Sequence, residues 1–134
     1  MTQENKELLL KDLCARLPYG VKIKLIRWDI DEGMYINTTL EPDDIERLLN
    51  IEESDTEIKP YLFPLSSMTE EQKREYDMLL TDIPTYEYEG GDIVTVFETY
   101  DNWMSIDYLN ANHFDYRGLI PMGLAIDATG LNIY

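Results

Sequence analysis

The chain has 134 residues, of which 44% are hydrophobic and 11% aromatic, values that suit a folded domain and exclude a disordered chain. Asp and Glu number 27 against 11 Lys and Arg, so the formal net charge is −16 at pH 7. A surface this acidic repels nucleic-acid phosphates and anionic membranes, and we therefore expect neither as a direct partner.

The N-terminal segment predicts a helix that begins after Thr2, which can cap it, and runs to about Arg16. Pro18 and Gly20 should end it. Its leucines recur at helical spacing and should form one buried face, made of Leu9, Leu10, Leu13 and Leu17, with Leu8 at the edge.

The single cysteine, Cys14, excludes an internal disulfide and indicates a reducing compartment. The first residues are charged, unlike a signal peptide, and no window approaches the ~20 apolar residues of a membrane span. We therefore expect a cytoplasmic protein in which Cys14 is a small buried hydrophobe among the leucines of the first helix.

Residues 21 to 28 alternate between apolar and polar side chains, which predicts a half-buried strand. Its buried side should consist of Val21, Ile23 and Leu25. The segment DIDEG, residues 29 to 33, has the composition of a turn, and residues 34 to 40 can return as an antiparallel partner.

DIDEG also has two aspartates spaced like those of a calcium-binding loop. The loop positions that require a ligand oxygen, a glycine and a glutamate carry Gly33, Met34 and Leu40 instead. We therefore interpret the segment as a hairpin turn and expect no metal site there.

Pro42 suits the first position of a short helix whose first turn holds Asp43 and Asp44. The apolar side of this helix should consist of Ile45, Leu48 and Leu49. An acidic connector, IEESDTE, follows at residues 51 to 57, and two prolines restrict residues 58 to 65, IKPYLFPL, to an edge strand or an extended loop.

Thr69 and Gln72 have capping-box spacing and predict a charged helix that runs to about Leu80. Residues 84 to 88 and 93 to 100 flank the turn EGGD and predict a second hairpin. Ser105 can cap a helix that begins at Ile106, and residues 118 to 134 should form short helical or extended pieces on the core.

Together these elements predict one α+β domain over residues 1 to 134, with a small antiparallel sheet of two hairpins packed with N-terminal, central and C-terminal helices.

The stretch NANHFDYR, residues 110 to 117, contains the only histidine of the chain. If the preceding helix continues, His113 lies within an apolar stripe formed by Ile106, Leu109, Tyr116 and Ile120. Alternatively the chain turns at Asn112 and starts again near Asp115. In both interpretations we expect His113 to be partly buried and to donate to a backbone carbonyl or to Asp115, and Arg117 to pair with an acid.

Catalytic motifs are not recognisable in the sequence. His113 has neither a G-x-S-x-G nucleophile turn nor a cysteine near a helix start beside it. A zinc site with one histidine and one cysteine would need two carboxylates as well, and EGGD lacks the lysine of a phosphate-binding loop. We therefore expect no catalytic residue, no cofactor and no metal site.

Two sets of residues are candidate binding surfaces. The first is an acidic strip in which a single arginine, Arg47, accompanies eight carboxylates: Glu41, Asp43, Asp44, Glu46, Glu52, Glu53, Asp55 and Glu57. It is either a solvated face or a strip that mimics nucleic acid. The second is a pocket that could hold phosphate and base, formed by Lys59, Tyr61, His113, Tyr116 and Arg117, with Lys22 and Lys24 as further cations.

Three stretches together resemble an uncharacterised family of short acidic proteins encoded in gut-bacterial genomes, their prophages and conjugative elements. They are KDLCARLPYGV at residues 11 to 21, IKPYLFPLSSMTEEQK at residues 58 to 73, and YLNANHFDYRGLIPMGLAIDA at residues 108 to 128. No activity, cofactor or catalytic residue comes with the resemblance. It implies an accessory protein of bacterial or mobile-element origin.

We therefore expect a non-enzymatic, acidic interaction protein, an inhibitor that mimics nucleic acid and binds a basic host protein such as a defence nuclease. The alternative is a protein that binds or sequesters a small ligand, such as a nucleotide signal. A third hypothesis is an enzyme that uses His113.

Overall fold

The computed structural model describes residues 2–27, 34–50, 56–80, 83–89, 92–98 and 103–134. The helices are α1 Gln3–Arg16, α2 Pro42–Asn50, α3 Glu70–Leu80 and α4 Trp103–Ala111. The strands are β1 Lys22–Arg27, β2 Met34–Thr39, β3 Thr56–Pro64, β4 Ile83–Glu89, β5 Asp92–Glu98, β6 Phe114–Asp115 and β7 Ile126–Asp127. The α+β class predicted from the sequence is confirmed.

The chain divides into two compact units, one made of Met1–Ser67 with Asn110–Tyr134 and the other of Met68–Leu109. The first unit is built on a mixed five-stranded sheet in the order β2-β1-β3-β6, with β7 also pairing with β3. The predicted first hairpin is confirmed, because β1 and β2 pair antiparallel from Lys22↔Thr39 to Arg27↔Met34. Its DIDEG turn lies outside the described residues.

The inner position of β3 contradicts the prediction of an edge strand or loop. β3 pairs antiparallel with β1, and its last four residues pair in parallel with β7 and β6. Both prolines fall where pairing ends or changes partner, since Pro60 is the last residue opposite β1 and Pro64 is the last residue of β3. A proline at the end of a ladder removes few hydrogen bonds, so it does not confine a strand to the edge.

The core of the first unit lies between the sheet and the first two helices. Thr2 caps α1 as predicted, with its hydroxyl accepting from Asn5 N at 3.1 Å. The alternation predicted for β1 is confirmed as well. Among the buried side chains of the core are Leu9, Leu13, Val21, Ile23, Leu25, Leu48, Ile58, Leu62 and Leu119.

Two side chains predicted to be buried are exposed. Successive side chains of a helix are about 100° apart around its axis. The side chain of Cys14 therefore points away from that of Leu13 and is exposed, outside the buried side of α1 formed by residues 9, 12, 13 and 16. Leu49 is 59% exposed for the same reason, since Leu48 and, in part, Ile45 are the residues of α2 that pack in the core.

In the second unit, the predicted capping box opens α3. Thr69 N donates to Gln72 Oε1 at 2.9 Å, and Gln72 N donates to Thr69 Oγ1 at 3.1 Å. The second hairpin also forms, but β4 and β5 make a two-stranded sheet of their own instead of joining the first hairpin. α4 begins at Trp103, so the predicted cap Ser105 lies inside its first turn, where a buried serine side chain is tolerated.

The C-terminal segment follows the second of the two predicted paths. α4 ends at Ala111, and His113 adopts a left-handed backbone with φ 62°, which excludes a helix that continues to Ile120. The chain turns and then enters the short strand β6. Within the described residues, none of the helices is long and apolar enough to cross a membrane.

Candidate functional site

The first unit contains a polar group in its interior that we call the arginine cluster, formed by Asp12, Arg16, Tyr116 and Arg117. Asp12 and Arg16 are one helical turn apart on α1, and both side chains are fully buried. Arg16 Nε donates to Asp12 Oδ2 at 2.8 Å, and Arg117 Nε donates to the other oxygen, Oδ1, at 3.2 Å. One buried carboxylate therefore binds two guanidinium groups, and the expectation that Arg117 pairs with an acid is confirmed.

Tyr116 contacts both arginines through its aromatic ring. Its ring centroid lies 5.2 Å from the guanidinium carbon of Arg16 and 4.9 Å from that of Arg117, distances typical of cation–π contacts. The Tyr116 hydroxyl donates to Asn110 Oδ1 at 2.9 Å and accepts from Arg117 Nη2 at 3.2 Å. Arg16 Nη2 donates to Phe114 O at 2.6 Å, which fixes α1 to β6.

His113 lies beside this cluster and stacks on Tyr134, with ring centroids 3.8 Å apart and planes inclined by 12°. Burial, and secondly the charge of Arg16, lowers the pKa of His113 to about 4. The Tyr134 hydroxyl donates to Tyr61 O at 2.7 Å and accepts from Lys22 N at 2.9 Å, and burial raises the pKa of Tyr134 to about 12. His113 is therefore neutral at pH 7 and covered by an aromatic ring.

The expected hydrogen bond from the His113 side chain to a backbone carbonyl or to Asp115 is not found among the described residues. The Asp115 oxygens accept instead from Leu119 N and Ile120 N, each at 2.9 Å, and so fix the turn that follows β6. Two buried nitrogens, His113 Nδ1 and Arg16 Nη1, have no partner in the part of the chain that the structure describes.

The hypothesis of an enzyme that uses His113 stays a prediction. That hypothesis requires an acid or a thiol within hydrogen-bond reach of an accessible imidazole. Cys14 is exposed, whereas His113 Nδ1 is buried and unpaired within the described ranges. Among those residues no group of three or more His, Cys, Asp or Glu side chains could hold a metal ion.

A second region lies on the outer face of the sheet, and we call it the lysine face: Lys22, Lys24, Lys59, Tyr35, Asn37 and Tyr61. Side chains alternate along a strand, so the residues between the buried Val21, Ile23 and Leu25 point to the other side. Lys24 is directly opposite Asn37 on β2 and directly opposite Lys59 on β3. The register therefore places the side chains of two lysines next to each other on the same face.

Contacts between side chains agree with this placement. Lys24 Nζ lies 4.2 Å above the centre of the Tyr35 ring, and the Tyr61 hydroxyl donates to Asn37 Oδ1 at 2.6 Å. Burial, and secondly the nearby Tyr35, raises the pKa of Tyr61. Tyr35 is 60% exposed, whereas Tyr61 is 5% exposed, so Tyr35 offers the accessible ring.

The pocket expected from the sequence is thus divided between the two regions. Lys59 and Tyr61 lie on the lysine face with Lys22 and Lys24, whereas Tyr116 and Arg117 belong to the arginine cluster and His113 lies beside it. Tyr134 links them, since its ring covers His113 and its hydroxyl binds the backbone of β1 and β3.

The acidic strip is described in part. Glu41, Asp43 and Glu46 are exposed, whereas Asp44 is 7% exposed and its carboxylate accepts from Glu41 N at 2.9 Å. Asp44 therefore stabilises the N-terminal end of α2 and does not contribute to an exposed acidic surface. Glu57 lies on β3 and pairs with Lys59 at 3.3 Å, while Glu52, Glu53 and Asp55 fall outside the described residues.

Sequence reasoning missed four side chains of these regions, Asp12, Arg16, Tyr35 and Asn37, and it also missed Tyr134, which links them. The i, i+4 spacing of Asp12 and Arg16 could have indicated an ion pair, although not its burial.

Comparison of the chain with protein-family models, with curated proteins and with solved structures finds no match. The resemblance to acidic proteins of gut bacteria and mobile elements therefore stays a prediction.

Proposed function

We propose that the protein binds a basic surface of another protein through the exposed carboxylates of α2 and competes there with nucleic acid. The observation that supports this is the arrangement of Glu41, Asp43 and Glu46, which are exposed at the start and along one side of that helix. Arg47, the arginine of the same helix, forms an ion pair with Asp44, with Nη1 and Oδ1 3.6 Å apart.

The distribution of cations supports the same proposal. The arginine cluster takes Arg16 fully into the interior and leaves the Arg117 side chain 19% exposed. These two cations are therefore bound to Asp12 within the first unit. Since the chain has 27 Asp and Glu against 11 Lys and Arg, carboxylates outnumber the other cations further.

The carboxylates form a short row of negative charge, as the phosphates of a nucleic acid do. Asp43 and Glu46 are three residues apart on a helix, so their Cβ atoms lie roughly 5 to 6 Å apart. A nucleic-acid strand also presents a regular row of negative charges, about one per 3.4 Å. A basic groove that binds such a row should attract the acidic helix by the same electrostatic force, and the attraction should weaken with salt.

The expected partner is a basic host protein, in line with the resemblance to proteins of prophages and conjugative elements. We propose that the two meet in the cytoplasm, as the single cysteine predicts. The proposal requires neither catalysis nor a cofactor.

Competition can be measured with bacterial DNA-binding proteins held on immobilised DNA. We expect the protein to release a subset of them at low salt, and the variant E41K/D43K/E46K to release far less. The variant E70K/E71K/D77K carries the same change in charge on α3 and should release as much as the unchanged protein. Equal release by both variants would rule out the surface of α2, and no release at all would overturn the proposal.

A further inference from the structure

We propose that the lysine face binds the polyphosphate of a free nucleotide, with the exposed ring of Tyr35 against the base. This site is separate from the carboxylates of α2 and does not depend on the function proposed for them. Three features of the molecule support this assignment: the placement of three lysines, the accessible aromatic ring beside them, and the charge of the rest of the chain.

The three lysines lie close together on one face of the sheet. Lys24 and Lys59 are directly opposite each other, and like charges at such positions destabilise a sheet. Lys22 is two residues before Lys24 on the same face, about 7 Å away. Glu57 neutralises Lys59 in part, since its Oε1 lies 3.3 Å from Lys59 Nζ. Even so, three of the eleven Lys and Arg side chains of this acidic chain share one small surface.

An anion with several charged groups would relieve this repulsion. Lysines whose Cβ atoms are about 5 to 7 Å apart have side chains long enough for each to approach a different phosphate of a diphosphate or triphosphate chain. Lysine binds phosphate as a point charge, without the fixed geometry that arginine imposes. Phosphate therefore fits this surface better than a planar carboxylate, which prefers arginine.

Tyr35 supplies the second half of the site. It is 60% exposed on the edge strand β2, and Lys24 Nζ lies 4.2 Å from its ring centre. Exposed aromatic side chains on the face of a sheet stack with nucleobases, and this stacking does not depend on which base is present. The ring and the lysines are adjacent, as the base and phosphates of one nucleotide require.

The net charge of −16 decides between a free nucleotide and a nucleic-acid strand. At physiological ionic strength charges are screened beyond about 8 Å, so a small ligand on the lysine face interacts mainly with the lysines. A strand would extend past this surface and meet carboxylates. The surface therefore favours a mononucleotide.

The test is a titration with ATP, monitored by calorimetry, with tripolyphosphate, adenosine and a short single-stranded DNA as parallel probes. We expect ATP to bind with a dissociation constant below about 1 mM. The variant K24Q/K59Q should weaken binding by about tenfold or more, as the loss of two charge-assisted contacts implies. Y35L should weaken binding of ATP and leave that of tripolyphosphate unchanged.

The variant K11Q/K73Q removes two positive charges elsewhere and should bind ATP within about twofold of the unchanged protein. E41K/D43K/E46K should retain ATP binding, which separates this site from the function proposed for α2. The absence of ATP binding would overturn the inference, and so would binding that survives K24Q/K59Q. Tighter binding of the DNA than of ATP at the same salt would contradict the assignment to a free nucleotide. Unfolding curves of each variant identify any loss that is due to misfolding.

Discussion

The arginine cluster and the lysine face lie in the same unit and use positive charge in opposite ways. Arg16 is fully buried and is bound by a carboxylate, a backbone carbonyl and a tyrosine ring. Lys24 and Lys59 are partly exposed and lie beside each other. The first arrangement binds its guanidinium groups within the protein and joins distant segments, whereas the second leaves charge for a ligand. Burial and pairing therefore distinguish cations that stabilise this fold from cations that can bind something else.

The largest expected effect is the loss of the carboxylate that binds both arginines. Asp12→Ala leaves Arg16 buried without its counter-ion, and we expect the free energy of unfolding to fall by about 3 to 5 kcal/mol. Urea unfolding measures the change. The neighbouring substitution Lys11→Ala, at an exposed position of α1, should cost no more than about 0.5 kcal/mol. A loss below about 1 kcal/mol for Asp12→Ala would show that the arginine cluster does not hold the unit together.

The next effect concerns pH. The pKa of His113 is lowered from 6.5 to about 4 in the folded state, so protonation of this residue favours the unfolded state. The stability that neutral His113 contributes is complete above about pH 6.5 and is lost as the pH falls towards 4. Tyr134, which stacks on it, has a pKa raised to about 12 and does not titrate in this window.

The effect of His113 can be separated from that of the many carboxylates by the variant His113→Asn. Asparagine tolerates the left-handed backbone at this position and does not titrate. We expect the difference in unfolding free energy between the unchanged protein and the variant to shrink between pH 6.5 and pH 4. A difference that is constant over this range would contradict the lowered pKa.

The smallest effect is expected on the lysine face. Lys24→Gln removes a repulsion from Lys59 and a cation–π contact with Tyr35, which are of similar size and opposite sign. We therefore expect the unfolding free energy to change by less than about 0.5 kcal/mol. A loss comparable to that of Asp12→Ala would place Lys24 among the stabilising cations and remove the contrast between the two regions.

Most of the elements of this fold could be predicted from local patterns. The cap at Thr2, the capping box at Thr69 and the alternation in β1 each depend on residues a few positions apart, and the structure confirms them. The inner position of β3 could not be predicted, because it depends on pairing with β6 and β7, which lie far along the chain. A local rule about proline gave the wrong result there, since it does not specify where a ladder ends.

The candidate sites show the same limit. Alternation in residues 21 to 28 already places Lys22 and Lys24 on one face, but only the register of β1 with β3 adds Lys59 to them. Arg117 and its partner Asp12 are 105 residues apart, and no spacing in the sequence connects them. The sequence predicted an acid as the partner of Arg117, whereas the choice of Asp12 depends on tertiary packing.

The most direct test of the contrast between the two regions is the change in backbone amide NMR signals on titration with ATP. We predict that the affected signals belong to β1, β2 and the first half of β3, around Lys24, Tyr35 and Lys59, and that those around Arg16 and Arg117 stay unchanged. Signals that shift instead around His113 and Arg117 would place the ligand in the arginine cluster. Such a result, or no shift anywhere, would contradict the division of cations described above.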